Sequence, residues 1–325
     1  MRILNEEEMW SAVTLEEVME AVEEALAIHK SGNYLMPDRL AATRNGNTIM
    51  FMPCLMDEAI GTKMLCEFPE NPKKGLPLLT GLMILNDVKT GLPLAIMNGS
   101  SLTAMRTGAV GGVGVRYLAR ENASAVALAG CGVQGLHQLL YACSVRPIKD
   151  IYLYDAYVKD LTPFVECLKG RLNRPEISIH ICKTAGEAAA AADILISATQ
   201  TVDPIWPDDT ELLRGKCFIA IGSWKPERRE LPDAVWKLVK NVYIELPFAC
   251  EESGDLGIPL ANGLLTMERV QMMEDLISEV KDGKTPELGE TRCFKSVGMG
   301  IYDARVAQLI YEKALEKGVG QQVKW

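Results

Sequence analysis

Several features that mark particular classes of protein are scarce in this sequence of 325 residues. It has only three histidines, so a histidine-rich metal centre or a histidine-based catalytic triad has few residues to draw on. No apolar run approaches the roughly 18 residues needed to span a bilayer. The chain also turns acidic after Asn5, where a secretory signal would continue with an apolar segment. We therefore expect a cytoplasmic protein without a membrane partner or a bound metal.

The sequence also has no excess of basic residues over acidic ones and no closely spaced pair of cysteines. The formal net charge is −9, whereas nucleic acids and anionic membranes are recognised through excess Lys and Arg. The nine cysteines are scattered and form no Cys-x-x-Cys pair. We interpret them as reduced thiols, with a disulfide framework or a zinc site as the alternative. The composition thus predicts no nucleic-acid partner, although a local basic pocket for a small anion is compatible with it.

What is present is the composition of an ordinary globular protein, 48% hydrophobic and 24% charged, long enough for about two domains. The pattern changes near residue 120. Before it, Thr14 and Glu17 form a capping box that predicts a helix, and short apolar runs between turn signals over 38–98 predict strands. A helix is predicted over about 103–120.

After Asn122, strands and helices alternate. Near-continuous apolar strands between helices are typical of a parallel sheet covered on both faces. A second capping box, Thr184 with Glu187, predicts one of these helices, and Val270 and Met273 begin the apolar face of another. The last helix is predicted over about 300–317. The predicted strands are 125–129, 151–154, 177–181, 194–198, 218–221 and 242–246.

The clearest chemical signal is a glycine-rich turn between the strand 125–129 and a helical run. Its first glycine allows a tight turn, the second lets the backbone approach a pyrophosphate, and the third lets helix and strand pack closely. The free N–H groups of the helix N-terminus then attract phosphate. The alternative is a turn that needs glycine for its shape alone. The predicted cofactor contacts are Gly130, Gly132, Val133, Gln134 and Gly135.

Asp155 ends the next predicted strand, at the position where a carboxylate binds the ribose hydroxyls of the adenosine. An acid at this position would repel a 2′-phosphate, and no Arg follows within four residues. The sequence therefore favours NAD over NADP, although Lys159 is near enough to keep NADP open. The alternative role for Asp155 is that of a turn residue at a strand end.

Three basic residues stand among apolar neighbours in the N-terminal half: Arg39, Lys63 and Arg106. Each by itself can be a surface cation with a buried stem. Together they could form a carboxylate clamp, because a guanidinium holds a carboxylate through two parallel hydrogen bonds.

At this point the sequence resembles the ornithine cyclodeaminase/mu-crystallin family, from Met36 to the C-terminal helix. The motifs that carry the resemblance are Pro37-x-Arg39, Gly61-x-Lys63, Leu85-x-Asp87-x-x-Thr90-Gly91-x-Pro93, Leu102-Thr103-x-x-Arg106-Thr107, Gly130-x-Gly132-x-Gln134, Gly222-Ser223 with Pro226-x-x-Arg229-Glu230-Leu231, Glu252-Ser253-Gly254-Asp255, and Phe294-Lys295-Ser296-Val297-Gly298.

The resemblance implies an α/β fold of two domains and a homodimer. Residues 121–298 would form a Rossmann-type parallel sheet that binds NAD. Residues 1–120, completed by the C-terminal helix in 299–325, would form an α/β substrate-binding and dimerisation domain. Arg39, Lys63 and Arg106 would bind the substrate carboxylate, with Lys63 near the carbon that exchanges hydride. Further cofactor contacts would come from Thr107, Thr199, Gly222 and Lys295, although Thr107 could bind the substrate instead.

Two departures from the family pattern bear on the substrate. Ornithine cyclodeaminases carry Glu where this chain has Met50, and Asp where it has Trp224. A thioether and an indole cannot replace carboxylates toward an ammonium or a proton. If both residues face the substrate or the nicotinamide, and are not ordinary core residues, the substrate side chain is apolar, small or cyclic.

We therefore expect reversible hydride transfer at the C–N bond of a small amino or imino acid, by an amino-acid dehydrogenase or a ketimine reductase. Lys63 would be the acid/base, or an electrostatic ligand only. The alternatives are an ornithine or lysine cyclodeaminase and a non-catalytic binding protein like mu-crystallin. Asp303 matches a family position but could simply begin a helix, and Asp255 is given no catalytic role.

Overall fold

The computed structural model describes residues 1–324, which form sixteen strands and twelve α-helices. The strands are β1 (Arg2–Leu4), β2 (Tyr34–Leu35), β3 (Leu40–Arg44), β4 (Asn47–Met56), β5 (Ile60–Glu67), β6 (Leu79–Asn86), β7 (Pro93–Asn98), β8 (Ala125–Ala129), β9 (Asp150–Tyr154), β10 (Ser178–Ile181), β11 (Ile194–Ser197), β12 (Cys217–Ala220), β13 (Val239–Ile244), β14 (Val270–Met272), β15 (Thr291–Lys295) and β16 (Gln321–Gln322).

The α-helices account for about half of the remaining described residues. They are α1 (Glu6–Ala12), α2 (Leu15–Ser31), α3 (Gly99–Leu118), α4 (Val133–Val145), α5 (Thr162–Leu172), α6 (Ala185–Ala191), α7 (Thr210–Leu213), α8 (Asp233–Leu238), α9 (Ala249–Glu252), α10 (Gly254–Ala261), α11 (Met273–Lys281) and α12 (Gly300–Lys317).

The chain divides into two compact units within α3. The first unit comprises residues 1–106 and the C-terminal segment from Gly298, and the second comprises 107–297. The boundary predicted near 120 lies just after α3, which ends at Leu118. The later part of α3 belongs to the second unit because Gly108, Gly111 and Gly114 lie against Tyr141, Gln138 and Phe294. Its small residues allow this close approach.

The first unit is built on an eight-stranded sheet of order β16-β1-β7-β6-β5-β4-β2, with β3 paired to β4. Its long central strands, β4 to β7, are antiparallel neighbours. From Met50 onward, the even-numbered side chains of β4 are buried and the odd-numbered ones are more exposed. Helix α12 packs on β4, β5 and α2. The structure confirms the capping box at Thr14 and the final helix at 300–317.

The second unit is an eight-stranded parallel sheet of order β10-β9-β8-β11-β12-β15-β13-β14. Its first five strands in sequence therefore adopt the spatial order 3-2-1-4-5 of a Rossmann-type sheet, which confirms the predicted fold class. All six predicted strands are present to within a few residues. Strands β14 and β15 were not predicted, and β15 inserts between β12 and β13.

Two local predictions were wrong in detail. Val270 lies in β14, paired with Val242, and helix α11 begins only at Met273. Strand pairing at the sheet edge here overrides the helical spacing of apolar residues. The second capping box is half formed, since Thr184 accepts the backbone N–H of Glu187 but the Glu187 carboxylate accepts that of Lys183.

Within residues 1–324, no helix is both long enough and apolar enough to cross a membrane. The same residues contain no group of three or more His, Cys, Asp or Glu side chains arranged to hold a metal ion. All nine cysteines are free thiols.

The close packing of α3 on α4 gives a test of the fold. In Gly108→Ala, the new Cβ would lie 2.6 Å from Cδ2 of the buried Tyr141 and 2.9 Å from Cβ of His137. We expect a loss of about 1–3 kcal/mol in the free energy of unfolding, measured by urea denaturation. Gly170→Ala is the control, because its Cβ meets nothing within 4 Å in α5, and it should be neutral or stabilising. Equal stability of the two variants would contradict this packing.

Candidate functional site

The glycine-rich turn of the second unit has the geometry that its motif predicts. It follows β8, and Gly130 adopts φ +95°, a conformation that favours glycine. A Cβ on Gly135 would lie 2.1 Å from the carbonyl oxygen of Gly130, so only glycine lets α4 start so close to the turn. A Cβ on Gly132 would meet nothing within 4 Å, which leaves the backbone there open to approach.

The start of α4 is suited to an anion. Its N-cap is Gly132, which has no side chain to cap the helix, and the first turn contains no acidic residue. The N–H groups of the first turn and the helix dipole therefore favour a phosphate at this end. The turn lies at the carboxyl end of β8, beside β11, where the strand order reverses. Dinucleotides bind at this position in open parallel sheets, so these residues fit a dinucleotide pyrophosphate.

Asp155 is fixed beside this turn. One carboxylate oxygen accepts the backbone N–H of Cys131 at 2.9 Å, and the other accepts those of Tyr157 and Val158 at 2.9 Å. The residue thus shapes the loop after β9, as its alternative role predicts. It also lies next to the glycine-rich turn, where a carboxylate that binds the ribose hydroxyls of the adenosine is expected.

The other predicted cofactor residues lie at different depths in the second unit. Val133 is 67% exposed at the start of α4, and Gln134 is half-buried. Thr199 and Gly222 follow β11 and β12, at the same edge of the sheet as the turn. Lys295 is fully buried, and its Nζ lies 3.1 Å from Oδ2 of Asp255. A cofactor contact by Lys295 stays a prediction.

Thr107 is a buried residue of α3 at the first position of the second unit. Its carbonyl oxygen accepts a 2.7 Å hydrogen bond from Nε2 of Gln138. This bond ties the backbone of Thr107 to α4, the helix that follows the glycine-rich turn. The side chain's contact with cofactor or substrate stays a prediction.

In the first unit, Lys63 lies on the buried face of β5. It is in register with Met52 of β4 and Met83 of β6, and its side chain is fully buried. Helix α12 approaches this face closely at Gly61, where a Cβ would lie 2.7 Å from Cβ of Ala304. The missing side chain at Gly61 therefore brings the neighbouring residue of α12, Asp303, up to the lysine.

The Asp303 carboxylate bridges two of the predicted cations. Oδ2 lies 2.6 Å from Nζ of Lys63, and Oδ1 accepts Nε of Arg106 at 2.9 Å. Arg39 donates from Nη2 to the carbonyl oxygen of Gly298 at 3.4 Å. A Cβ on Gly298 would lie 2.5 Å from Nη1 of Arg106, so this glycine also borders the second guanidinium. The structure thus brings Arg39, Lys63, Arg106 and Asp303 together, and we call them the cation cluster.

The cation cluster combines positive charge with a labile proton. Burial lowers the pKa of Lys63 to about 7; the Asp303 carboxylate opposes this shift, while Arg106 and Arg39 add to it. The cluster contains three cations and one carboxylate, which pairs with only two of them, so the excess positive charge suits the binding of a further carboxylate. A lysine that titrates near neutral pH can also exchange a proton with a bound molecule.

Met50 and Trp224 occupy different surroundings. Met50 is buried on the same face of the first unit's sheet as Lys63, in register with Leu65 of β5. Trp224 is half-buried in the second unit, and Nζ of Lys225 lies 4.8 Å from the centre of an indole ring. Contact of either side chain with a substrate stays a prediction.

The contacts of Asp303 with Lys63 and Arg106 were not predicted from the sequence. The position of Asp303 in the first turn of a helix looked like an ordinary helix start, because its partners Lys63 and Arg106 are far away in the chain. An available signal was Gly61, two residues before Lys63 on the same strand face, which indicates that another element packs there.

One unit is of the Rossmann type and has an open glycine-rich turn, and the other holds the cation cluster. These features define a two-unit protein of the dinucleotide-binding class. The family model for the ornithine cyclodeaminase/mu-crystallin family matches residues 2–318. The chain belongs to this family.

Two relatives have similar identity to this chain. A delta(1)-pyrroline-2-carboxylate reductase of Bacillus cereus is 33% identical, with all of both chains covered. An alanine dehydrogenase of Archaeoglobus fulgidus is also 33% identical, with 99% of this chain and 98% of the relative covered.

Two solved structures share the fold over the whole chain. The delta(1)-pyrroline-2-carboxylate reductase of Thermococcus litoralis, in complex with NADH and L-proline, superposes with a TM-score of 0.89 at 35% identity, covering 99% of this chain and 100% of that one. An archaeal alanine dehydrogenase dimer with bound NAD gives 0.87 at 31% identity, covering 100% and 99%.

Proposed function

We propose that this chain is an NAD(H)-dependent oxidoreductase acting on the C–N bond of a small amino or imino acid. The observation that carries the proposal is the cation cluster, in which a lysine that titrates near neutral pH shares a buried carboxylate with Arg106. The relatives support it, because one is named a pyrroline-2-carboxylate reductase and the other an alanine dehydrogenase.

In this proposal the second unit binds NAD and the first unit binds the substrate. The pyrophosphate is held by the turn, and the ribose by Asp155. The bound cofactor supplies or accepts the hydride. The residues proposed to contact it are Gly130, Gly132, Val133, Gln134, Gly135, Asp155, Thr107, Thr199, Gly222 and Lys295.

The chain's own residues then bind the substrate and move the proton. Arg39 and Arg106 hold the substrate carboxylate through their guanidinium groups. Reduction of a C=N bond places a hydride on carbon and a proton on nitrogen, and Nζ of Lys63 is the proton donor. In the oxidative direction the neutral amine of Lys63 accepts that proton. Asp303 keeps Lys63 and Arg106 in place.

The substrate class follows from the charges. Met50 and Trp224 stand where ornithine cyclodeaminases carry carboxylates, so they offer no group that neutralises a terminal ammonium. We propose a substrate with an apolar, small or cyclic side chain. This argues against the cyclodeaminase alternative, and the proton-exchanging Lys63 argues against a purely non-catalytic binding protein.

We further propose a cytoplasmic homodimer formed through the outer face of the first unit's sheet. Leu40, Phe51, Met64 and Leu82 lie in register across β3 to β6 on this face. Leu40 is 64% exposed, Leu82 42% and Phe51 37%, so the row is open to a partner. An apolar row of this extent is typical of an interface between protein chains.

A substrate screen tests the proposed reaction. We expect NADH oxidation with cyclic imino acids, or with pyruvate and ammonia or methylamine, and NAD reduction with a panel of amino acids. Lys63→Met keeps most of the stem but loses the ammonium, and should lower the rate by about 10²–10⁴-fold. Lys74→Met, at an exposed residue, is the control.

Two results of the screen would contradict the proposal. Inactivity toward every compound would contradict the proposed dehydrogenase or reductase activity. Formation of proline and ammonia from ornithine, with no net change in NADH, would instead indicate a cyclodeaminase.

The pH dependence tests Lys63 and Asp303 together. Reduction needs protonated Lys63, so kcat/KM for reduction should fall as pH rises above about 7, and kcat/KM for oxidation should fall below it. Because Asp303 raises the pKa of Lys63, Asp303→Asn should move both limbs to lower pH. Asp87→Asn, at an exposed turn of the first unit, should leave the profile in place. Unmoved or alkaline-shifted limbs in Asp303→Asn would exclude this role.

The dimer can be tested by placing charge on the apolar row. In the double variant Phe51→Lys with Leu82→Lys, two ammonium groups would have to be buried at the interface, so we expect mainly monomers in size-exclusion chromatography with light scattering. Leu92→Lys, at an exposed turn residue, should leave the dimer intact. A double variant that elutes as the wild type would place the interface elsewhere.

A further inference from the structure

A fully buried carboxylate joins two loops of the second unit. Oε1 of Glu230 accepts the backbone N–H and the hydroxyl of Thr199, both at 2.7 Å. Oε2 accepts the backbone N–H groups of Gly222 at 2.8 Å and Ser223 at 3.1 Å. Thr199 follows β11 and Gly222 follows β12. One side chain thus fastens the carboxyl ends of two adjacent parallel strands, beyond the point where their ladder ends.

The two loops come so close that only glycine fits between them. A Cβ on Gly222 would lie 2.0 Å from the carbonyl oxygen of Thr199 and 2.6 Å from Oε1 of Glu230. On its other side, Thr199 borders the glycine-rich turn, since a Cβ on Gly130 would lie 2.9 Å from its Cγ2. Glu230, Thr199 and Gly130 therefore form a continuous line of contacts along this edge of the sheet.

Two further buried charges hold Glu230 in position. Oδ1 of Asp255 accepts the backbone N–H groups of Glu230 at 2.7 Å and Leu231 at 2.8 Å. Oδ2 of Asp255 lies 3.1 Å from Nζ of Lys295, and both side chains are fully buried. Lys295 ends β15, the neighbour of β12. The network thus extends from β15 to the glycine-rich turn.

Burying the charges of this network carries a desolvation cost, which makes it a poor way to stabilise a fold. Burial raises the pKa of Glu230, against the effect of Lys295, yet all four of its partners are donors and therefore need the ionised carboxylate. Apolar residues of similar volume often stabilise a core as well as buried ions do. What the ions add is a fixed backbone geometry at the edge where the dinucleotide is proposed to bind.

We propose that Glu230 is a positioning residue for the dinucleotide: it locks the Thr199 and Gly222–Ser223 loops into one rigid edge beside the glycine-rich turn, without contacting the cofactor itself. The inference rests on the proposed function, because it assumes that NADH binds at this edge. It gives Asp255 and Lys295 a supporting role and makes the rigidity of the two loops a determinant of cofactor affinity.

Glu230→Gln is the direct test. However the amide is turned, its NH₂ group faces backbone donors, so one loop must move. We expect the Kd for NADH, followed by its fluorescence, to rise about tenfold or more, and KM for NADH to rise with it. The kcat at saturating NADH should stay within about twofold, because the cation cluster is unchanged. Amide hydrogen exchange at Thr199, Gly222 and Ser223 should also accelerate.

Asp193→Asn is the matched control. The Asp193 carboxylate accepts the backbone N–H groups of Ser124 at 2.8 Å and Ala125 at 3.0 Å. These residues lie at the amino ends of β8 and β11, the ends of the strands opposite to the proposed dinucleotide site. The substitution makes the same chemical change, yet it should leave the Kd for NADH unaltered.

The outcomes separate this inference from the proposed function. If wild-type protein does not bind NADH, the proposed function fails, and this inference with it. If wild type binds NADH and a folded Glu230→Gln protein binds it equally well, the inference alone fails. Should Glu230→Gln not fold, Glu230→Asp takes its place: it keeps the charge but is too short to reach both loops, and an unchanged Kd would overturn the inference.

Discussion

The carboxylate of Asp303 holds the buried cations of the first unit in place. A lysine buried on the inner face of β5, among methionines, would not keep its proton near neutral pH without an opposite charge beside it, and Asp303 supplies that charge at 2.6 Å. The same carboxylate holds Arg106. Because Asp303 lies on α12, the C-terminal helix takes part in the cluster as well as in the core.

In the second unit, buried and half-buried carboxylates hold loops in place by accepting backbone N–H groups. Its glycine-rich turn presents backbone N–H groups, and carboxylates rather than cations fix the surrounding loops. Asp155 accepts three backbone N–H groups, and Glu230 accepts three together with a hydroxyl. Backbone donors and a helix dipole can attract phosphate without adding formal charge. An acidic chain can therefore carry a site for an anionic cofactor.

Sequence identity to known enzymes does not by itself indicate the substrate of this chain. A pyrroline-2-carboxylate reductase and an alanine dehydrogenase are equally similar to this chain, at 33%. Both names describe chemistry at a carbon–nitrogen bond next to a carboxylate, which is the part of a substrate that the cation cluster is proposed to bind. The side chain that distinguishes substrates must be read by other residues, for which Met50 and Trp224 are the candidates.

Much of the fold could be predicted, since its signals are local. The alternation of apolar strands with helices indicated the parallel sheet, and the capping box at Thr14 marked the start of a helix. Strand β15 was missed, since its placement between β12 and β13 depends on pairing with strands far away in sequence. The end of the first unit near residue 106 depends on three glycines in α3, which matter only through the side chains they meet.

The sequence by itself determined the glycine-rich turn and the three basic residues, because the turn depends on backbone freedom and the cations on residue type. Only the tertiary structure decided which groups each buried carboxylate contacts. Asp303 pairs with Lys63 and Arg106, and Glu230 accepts hydrogen bonds from the loops after β11 and β12. Asp303 lies 240 residues from Lys63 and 197 from Arg106, and the energies of these contacts depend on burial and on distances of about 3 Å, which no local pattern encodes.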